Sequence, residues 1–481
     1  MLQLPQARET ARLRAELDGP PPSFTLLHGP TGIGKAEVVA SAARGLDVVR
    51  YWAAPLTDPD HRAQLVARLG AWCEAPEPAP ASGRRAPAPE SPLLPGADWP
   101  RIFDHLVKRA AERHGTLRLV LEEFPRLVEA RSKLPLELEK FWGRVRAQGL
   151  PVHLVLTGRD GPVFQALRRE GGTLAAWIGL DLALQPLGYR EVASLFPAHA
   201  PSDRLLAWGI FGGQRRHLRP CDPGVALSTN VRAVLLAPES PFLLEGTERL
   251  QLDLQSPARY ASLLAALARG HREWGEILAG APTFQSGGQM APYLARLQGL
   301  GLVSSEASLD ALPGARQRRY RIADPFYAFW YRFVLPNLTE LMAGRARDVW
   351  RTRVRPHLDA YAAGLFPRIC AEYLGEHARG RLGATAREVG GLWGSEYDLA
   401  PAGTLGNGAA FYGRALWGGG PVPATADEAL SAEMRRTRYG FGRERRIRLV
   451  FATDGFSPEL VRRAARSELL HLLGPEELLG G

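Results

Sequence analysis

A chain of 481 residues, 45% hydrophobic and 23% charged, reads as about three folded domains and excludes a disordered polymer. No run approaches ~18 uncharged apolar residues, which excludes a spanning helix. Three scattered cysteines (Cys73, Cys221, Cys370) exclude a disulfide scaffold and a cysteine-based zinc site, and the net charge of +10 admits a polyanionic partner.

Nearly all of the positive charge is arginine, lysine occurring only at Lys35, Lys108, Lys133 and Lys140. The charge therefore reads equally well as the codon bias of a GC-rich genome. The opening MLQLPQARETARLRAEL lacks the positive-then-apolar layout of a signal peptide, so a cytoplasmic protein with no membrane partner is expected.

In chain order, residues 1–73 read as helix, strand, glycine loop and helix. Residues 74–100 carry prolines at 76, 78, 80, 87, 89, 92, 95 and 100 and no apolar periodicity, so they read as an extended insertion. Strand signals then resume at LRLVLEEF (117–124) and VHLVLTG (152–158). Short apolar runs that end in polar groups are the pattern of buried parallel strands, with helices between them. From about residue 185 the chain turns mainly helical.

FTLLHGPTGIGK places Gly29, Pro30, Thr31, Gly32, Ile33, Gly34 and Lys35 in the G-x-x-x-x-G-K spacing between a strand (Phe24–Leu27) and a helix. Such a loop curls its backbone N–H groups around a phosphate, the helix N-terminus adds positive charge, and the lysine reaches the outer phosphates. ATP is the expected cofactor. The next residue is ordinarily a Ser or Thr that ligates Mg²⁺; here it is Ala36, which puts Mg²⁺ binding and hydrolysis in question.

Leu119–Leu121 lead into Glu122 and Glu123. In this reading Glu122 holds Mg²⁺, one methylene longer than the usual Asp, and Glu123 polarises the attacking water. Thr157 or Arg159, ending the third strand signal, would sense the γ-phosphate.

Residues 258–270, 272–280 and 290–303 read as helices, with Pro292 in the first turn of the third. LVSSE, a loop holding Arg316, Arg318 and Arg319, and YRI read as a β-ribbon. Three helices and a ribbon make a winged helix-turn-helix, which would offer Arg296, Arg316, Arg318 and Arg319 to DNA phosphates; the same layout also serves protein packing.

The phosphate loop, the acidic strand, WGIFGGQRRHL (208–218), the helix-turn-helix and YRIADPFYAFWYRF (320–333) occur in that order. The chain resembles the archaeal-type ATPase family, P-loop ATPases of the STAND-like group that end in a domain of unknown function. The family's G-G-x-P-x-Y-L motif holds the nucleotide base through its proline; here Arg215 replaces it, and His217, at the aromatic position, reads as a packing residue. The resemblance also implies a restriction-endonuclease-like C-terminal fold. Its acids would include Glu372 and Asp398, but Arg414 and Leu416 stand where the family shows Glu and Lys. A degenerate domain without nuclease activity is expected. RRTRYGFGRERRIR (435–448), with Tyr439 and Phe441, reads as a phosphate-tracking surface or a solvated strand face.

The fold expected is α/β, with a parallel P-loop NTPase sheet, a helical region, a winged helix-turn-helix and an α+β C-terminal domain. The boundaries expected are 1–185, 186–245, 246–335 and 336–481. Two functions compete. One is an ATP-dependent switch that binds duplex DNA; the other is a non-hydrolysing nucleotide-binding scaffold for protein partners.

Overall fold

A computed structural model of the chain describes residues 7–74, 96–112, 115–131, 133–159, 161–169, 174–312 and 317–480. The chain divides between Pro186 and Leu187 into two compact units.

The first unit is built on five parallel strands: β1 (Ser23–His28), β2 (Val49–Trp52), β3 (Leu117–Glu122), β4 (Val152–Gly158) and β5 (Leu180–Ala183), in the order β2-β3-β4-β1-β5. Helices cover both faces, so the central strands are apolar on both sides. Phe24, Leu26, Leu119 and Leu121 pack into one cluster with Trp142 and Leu154. The alternating Leu27, Val120 and Val155 pack into another, with Leu13, Ile33 and Val38. Each such side chain contributes about 1.5–3 kcal/mol by leaving water. This sheet is the P-loop NTPase fold.

Two strands escape the sequence reading. β2 and β5 have four residues each and alternate in burial, so neither shows an apolar run. Trp99 and Pro100, read as the end of the insertion, instead open the helix Trp99–Glu112. Trp99 is buried, and its Nε1 donates to Asp58 Oδ1 at 2.7 Å. Residues 75–95 of the insertion lie outside the described residues.

Ser23 and His153 face each other across β1 and β4, with Ser23 Oγ 2.6 Å from His153 Nδ1. Burial above all, then the charge of Arg118, pushes the imidazole down to about 4, against an opposing pull from Asp18. The unfolded chain takes up a proton near the ordinary value of 6.5, whereas the folded chain resists it until about 4. Stability is thus fully present above the ordinary value and falls as pH drops toward the depressed one, by up to about 3 kcal/mol. Denaturant unfolding from neutral to mildly acidic pH should therefore show wild type losing more stability than His153→Gln.

The second unit begins with helices, among them Pro201–Phe211 and Glu245–Asp253. The winged layout follows: helices Pro257–Ala268, Trp274–Gly280 and Gly287–Gly299, then antiparallel β6 (Val303–Ala307) and β7 (Arg318–Ile322). The third helix starts earlier than periodicity suggests, because Ser286 caps it by accepting from Gln289 N–H at 3.4 Å. Pro292 consequently lies in its second turn, not its first.

Asp324 caps the aromatic run, accepting from Phe326 N–H at 3.0 Å, and Phe326, Phe329 and Trp330 are buried. The long helix Leu358–Leu382 leads to a mixed sheet of β8 (Ala386–Trp393), β9 (Asp398–Leu405), β10 (Ala410–Leu416), β11 (Arg446–Ala452) and β12 (Leu470–Leu473). β8, β9 and β10 pair antiparallel; β10, β11 and β12 pair parallel. No helix among the described residues is long and apolar enough to cross a membrane.

Candidate nucleotide-binding site

The loop between β1 and the helix Lys35–Ala42 has the backbone that its glycines permit. Gly29 approaches β5 so closely that a Cβ there would lie 2.5 Å from Leu184 O. Gly34, at φ 101°, takes the left-handed conformation that turns the chain into the helix. Ile33 is fully buried and anchors the loop, while Pro30 and Thr31 stay exposed. Lys35 is the first helical residue, only 6% exposed, and its Nζ donates to the carbonyls of Gly29 and Pro30, each at 3.0 Å. The opening of the helix supplies N–H groups and partial positive charge for an anion.

β4 lies between β1 and β3 in the sheet, so its end faces the loop. Gly29 N–H donates to Gly158 O at 3.3 Å, Thr157 is buried, and Arg159 follows half-buried. Glu123 takes a left-handed backbone at φ 55° and places Oε1 3.9 Å from Lys35 Nζ. The structure therefore brings together the lysine and the second acid of the sequence reading.

Glu122 is different. Its side chain is 5% exposed, and Oε1 accepts from Arg50 Nε at 3.0 Å and Nη2 at 2.7 Å. Arg50 Nη2 also lies 3.5 Å from the carbonyl of Ala36. Glu122, expected to hold a metal, has one carboxylate oxygen engaged by a guanidinium, and Ala36 has no hydroxyl to offer. The residues present do not fit the usual Mg²⁺ site, and no group of three or more His, Cys, Asp or Glu among the described residues is placed to hold a metal.

Sequence reasoning missed Arg50, because β2 is too short to be seen and no local pattern ties Arg50 to an acid 72 residues on. It also missed His28, directly before the loop. His28 Nε2 lies 2.8 Å from Asp181 Oδ1 and 3.0 Å from Arg168 Nη1, which fastens the end of β1 to β5. Its position beside Gly29 was the one available signal.

The remaining candidates lie in the second unit. In the GGQRRHL stretch, Gln214 Nε2 donates to Asp324 Oδ2 at 2.7 Å and Arg215 is buried. His217 stacks on Phe326 with ring centroids 3.6 Å apart, and its Nε2 lies 3.0 Å from Glu245 Oε1. Glu245 also pairs with Arg216 and accepts from Tyr327 OH at 2.9 Å. This stretch thus builds a buried polar joint with the aromatic run.

Arg296 and Arg318 are exposed on the winged layout; Arg318 Nε donates to Ser305 Oγ at 3.1 Å. Arg316 lies outside the described residues. Arg319 is half-buried. It is engaged by Asp398 at 2.8 Å and Glu273 at 3.3 Å, and its guanidinium lies 4.7 Å from the Trp393 ring centroid, so phosphate contact would break an existing joint. Asp398 is the acid of that ion pair, and Arg414 pairs with Glu433. Burial raises the Glu372 carboxyl, the nearby positive charge of Arg368 opposing it. In the arginine-dense segment, Arg446 donates to Met434 O at 2.7 Å and Arg448 pairs with Asp427 at 2.9 Å, whereas Phe441 is exposed.

Residues 330–408 match DUF234, a family described as archaea bacterial proteins of unknown function. That match covers part of the second unit and does not reach the phosphate loop. The chain is also similar to an uncharacterized protein of Methanocaldococcus jannaschii (MJECL04), 20% identical over 400 residues that cover 81% of this chain and 82% of that protein. Among solved structures, it is similar to the Walker-type ATPase PABY2304 of Pyrococcus abyssi, at 16% identity and a TM-score of 0.48, covering 69% of this chain and 96% of the other. The ORC2 protein of Aeropyrum pernix, in its ADPNP-ADP complexes, scores 0.41 at 15% identity, covering 72% and 96%.

Proposed function

We propose that this protein binds ATP at the phosphate loop and acts as a nucleotide-dependent switch. The observation that carries the proposal is the joint geometry of Gly29, Gly34 and Lys35, with the buried lysine 3.0 Å from two loop carbonyls at the start of a helix. Lys35 would exchange those carbonyls for phosphate oxygens, and Glu123, 3.9 Å from its ammonium, would be the acid that polarises an attacking water. Calorimetric titration of the full chain with ATP tests the reading: saturable binding supports it, and a flat titration removes it. The four-part division at residues 185, 245 and 335 belongs to the same proposal.

The output of the switch would be duplex DNA, met by Arg296 and Arg318 on the winged layout. Replacing both with alanine should weaken retention on duplex DNA and lower the salt slope by about 2. Equal retention of variant and wild type across a salt series would discard these contacts.

A second reading is favoured by one set of observations. Glu122, Asp398 and Arg414 all stand in ion pairs with Arg50, Arg319 and Glu433. Groups that would carry chemistry are thus used as internal joints, as in a non-hydrolysing scaffold that binds protein partners. Phosphate release no faster than that of Lys35→Ala would favour this second reading.

A further inference from the structure

In phosphate loops of this kind the hydroxyl after the lysine and the first acid of the neighbouring strand together hold Mg²⁺, which neutralises the phosphates. This chain lacks the hydroxyl at Ala36, and its first acid, Glu122, is occupied. The group that occupies it is itself a cation. Arg50 lies beside both residues, with Nη2 2.7 Å from Glu122 Oε1 and 3.5 Å from the backbone carbonyl oxygen of Ala36. Its Nη1 makes no hydrogen bond among the described residues and keeps its donors for another oxygen. The side chain is 31% exposed, so it is held by the buried acid without being sealed from a ligand.

We infer that Arg50 takes the place of Mg²⁺, so that this protein binds a nucleoside triphosphate as the free anion and needs no divalent cation. The inference rests on the ATP-binding reading above and specifies its ligand as uncomplexed ATP. A guanidinium stays protonated at any physiological pH and offers planar paired donors that suit phosphate oxygens. Glu122 then serves as a positioning residue: it orients the fork and offsets part of its charge, where in a metal-dependent loop it would hold the ion. The missing hydroxyl at Ala36 and the guanidinium beside Glu122 are thereby read together, with one positive charge standing where a divalent ion would.

The test is calorimetric titration of the full chain with ATP, once in excess EDTA and once in excess MgCl₂. The affinity in EDTA is expected to stay within about threefold of that in magnesium. Arg50→Ala should lose about 10- to 100-fold in EDTA, the effect of removing a charged donor from a phosphate. Binding that appears only with magnesium would overturn the inference and leave the ATP-binding reading intact. So would an Arg50→Ala protein that is folded by circular dichroism and binds as wild type does in EDTA. No binding in either solution would overturn both. The wild-type comparison needs no variant, so it decides the matter even if Arg50→Ala fails to fold.

Discussion

Replacing Lys35 with alanine is expected to weaken ATP binding about 100-fold, the loss of one charged hydrogen-bonding group aimed at a phosphate. The ammonium is 6% exposed and already faces the loop, so it is pre-positioned and little ordering is needed on binding. Its present partners are carbonyls of Gly29 and Pro30, at the loop's own entrance. Alanine leaves the carbonyl of exposed Pro30 close to solvent and only that of buried Gly29 short of a donor, a modest local cost, so the fold should survive the change. Calorimetric titration beside a far-ultraviolet circular dichroism spectrum measures both effects. A folded Lys35→Ala protein that binds ATP as wild type does would show that the nucleotide binds elsewhere.

Glu245→Ala is expected to cost about 3–5 kcal/mol of stability, the range for breaking a buried ion pair by removing one partner. That is a large share of the roughly 5–15 kcal/mol by which a domain is stable. The carboxylate is held by Arg216, His217 and the Tyr327 hydroxyl, so its loss leaves several buried polar groups with a partner missing. Burial alone would push the Glu245 carboxyl up. The hydrogen bond and charge of His217, the charge of Arg216 and the Tyr327 hydroxyl outweigh it and hold the carboxyl below its ordinary range. The stabilisation is therefore present above the unfolded value, about 4.3, and disappears as pH falls through the lower folded value. Denaturant midpoints at neutral pH should separate wild type from variant widely, and should converge in strong acid. A constant gap down to strong acid would show that the carboxylate charge carries none of the effect.

The sequence was most legible where chemistry is local. The phosphate loop needs a strand, glycines at fixed spacing and a lysine, all within a dozen residues, and it lies where its spacing placed it. β1, β3 and β4 are continuous apolar runs and are equally visible. β2 is not, because its four residues alternate between buried and open positions and end in exposed Trp52. With β2 unseen, the partner of Glu122 could not be named, and nothing local showed that a guanidinium would hold one of its oxygens. Arg319 shows the same limit in the second unit. Its neighbours in sequence are basic and exposed, but the groups that claim it, Glu273 and Asp398, are 46 and 79 residues away. Pairings across such distances are set by tertiary packing, which no window of sequence contains.

Glu123 sits at φ 55° and ψ 43°, a conformation that a residue with a side chain enters only at a cost of about 1–2 kcal/mol. Glycine would turn the same corner without that penalty, as it does at Gly34. The carboxylate next to Lys35 thus withholds stability from the first unit. Relaxed into the ordinary helical region, the backbone would carry this acid away from the lysine, so aim and strain cannot be separated here. The sheet around it, buried on both faces, is what keeps the corner from unwinding.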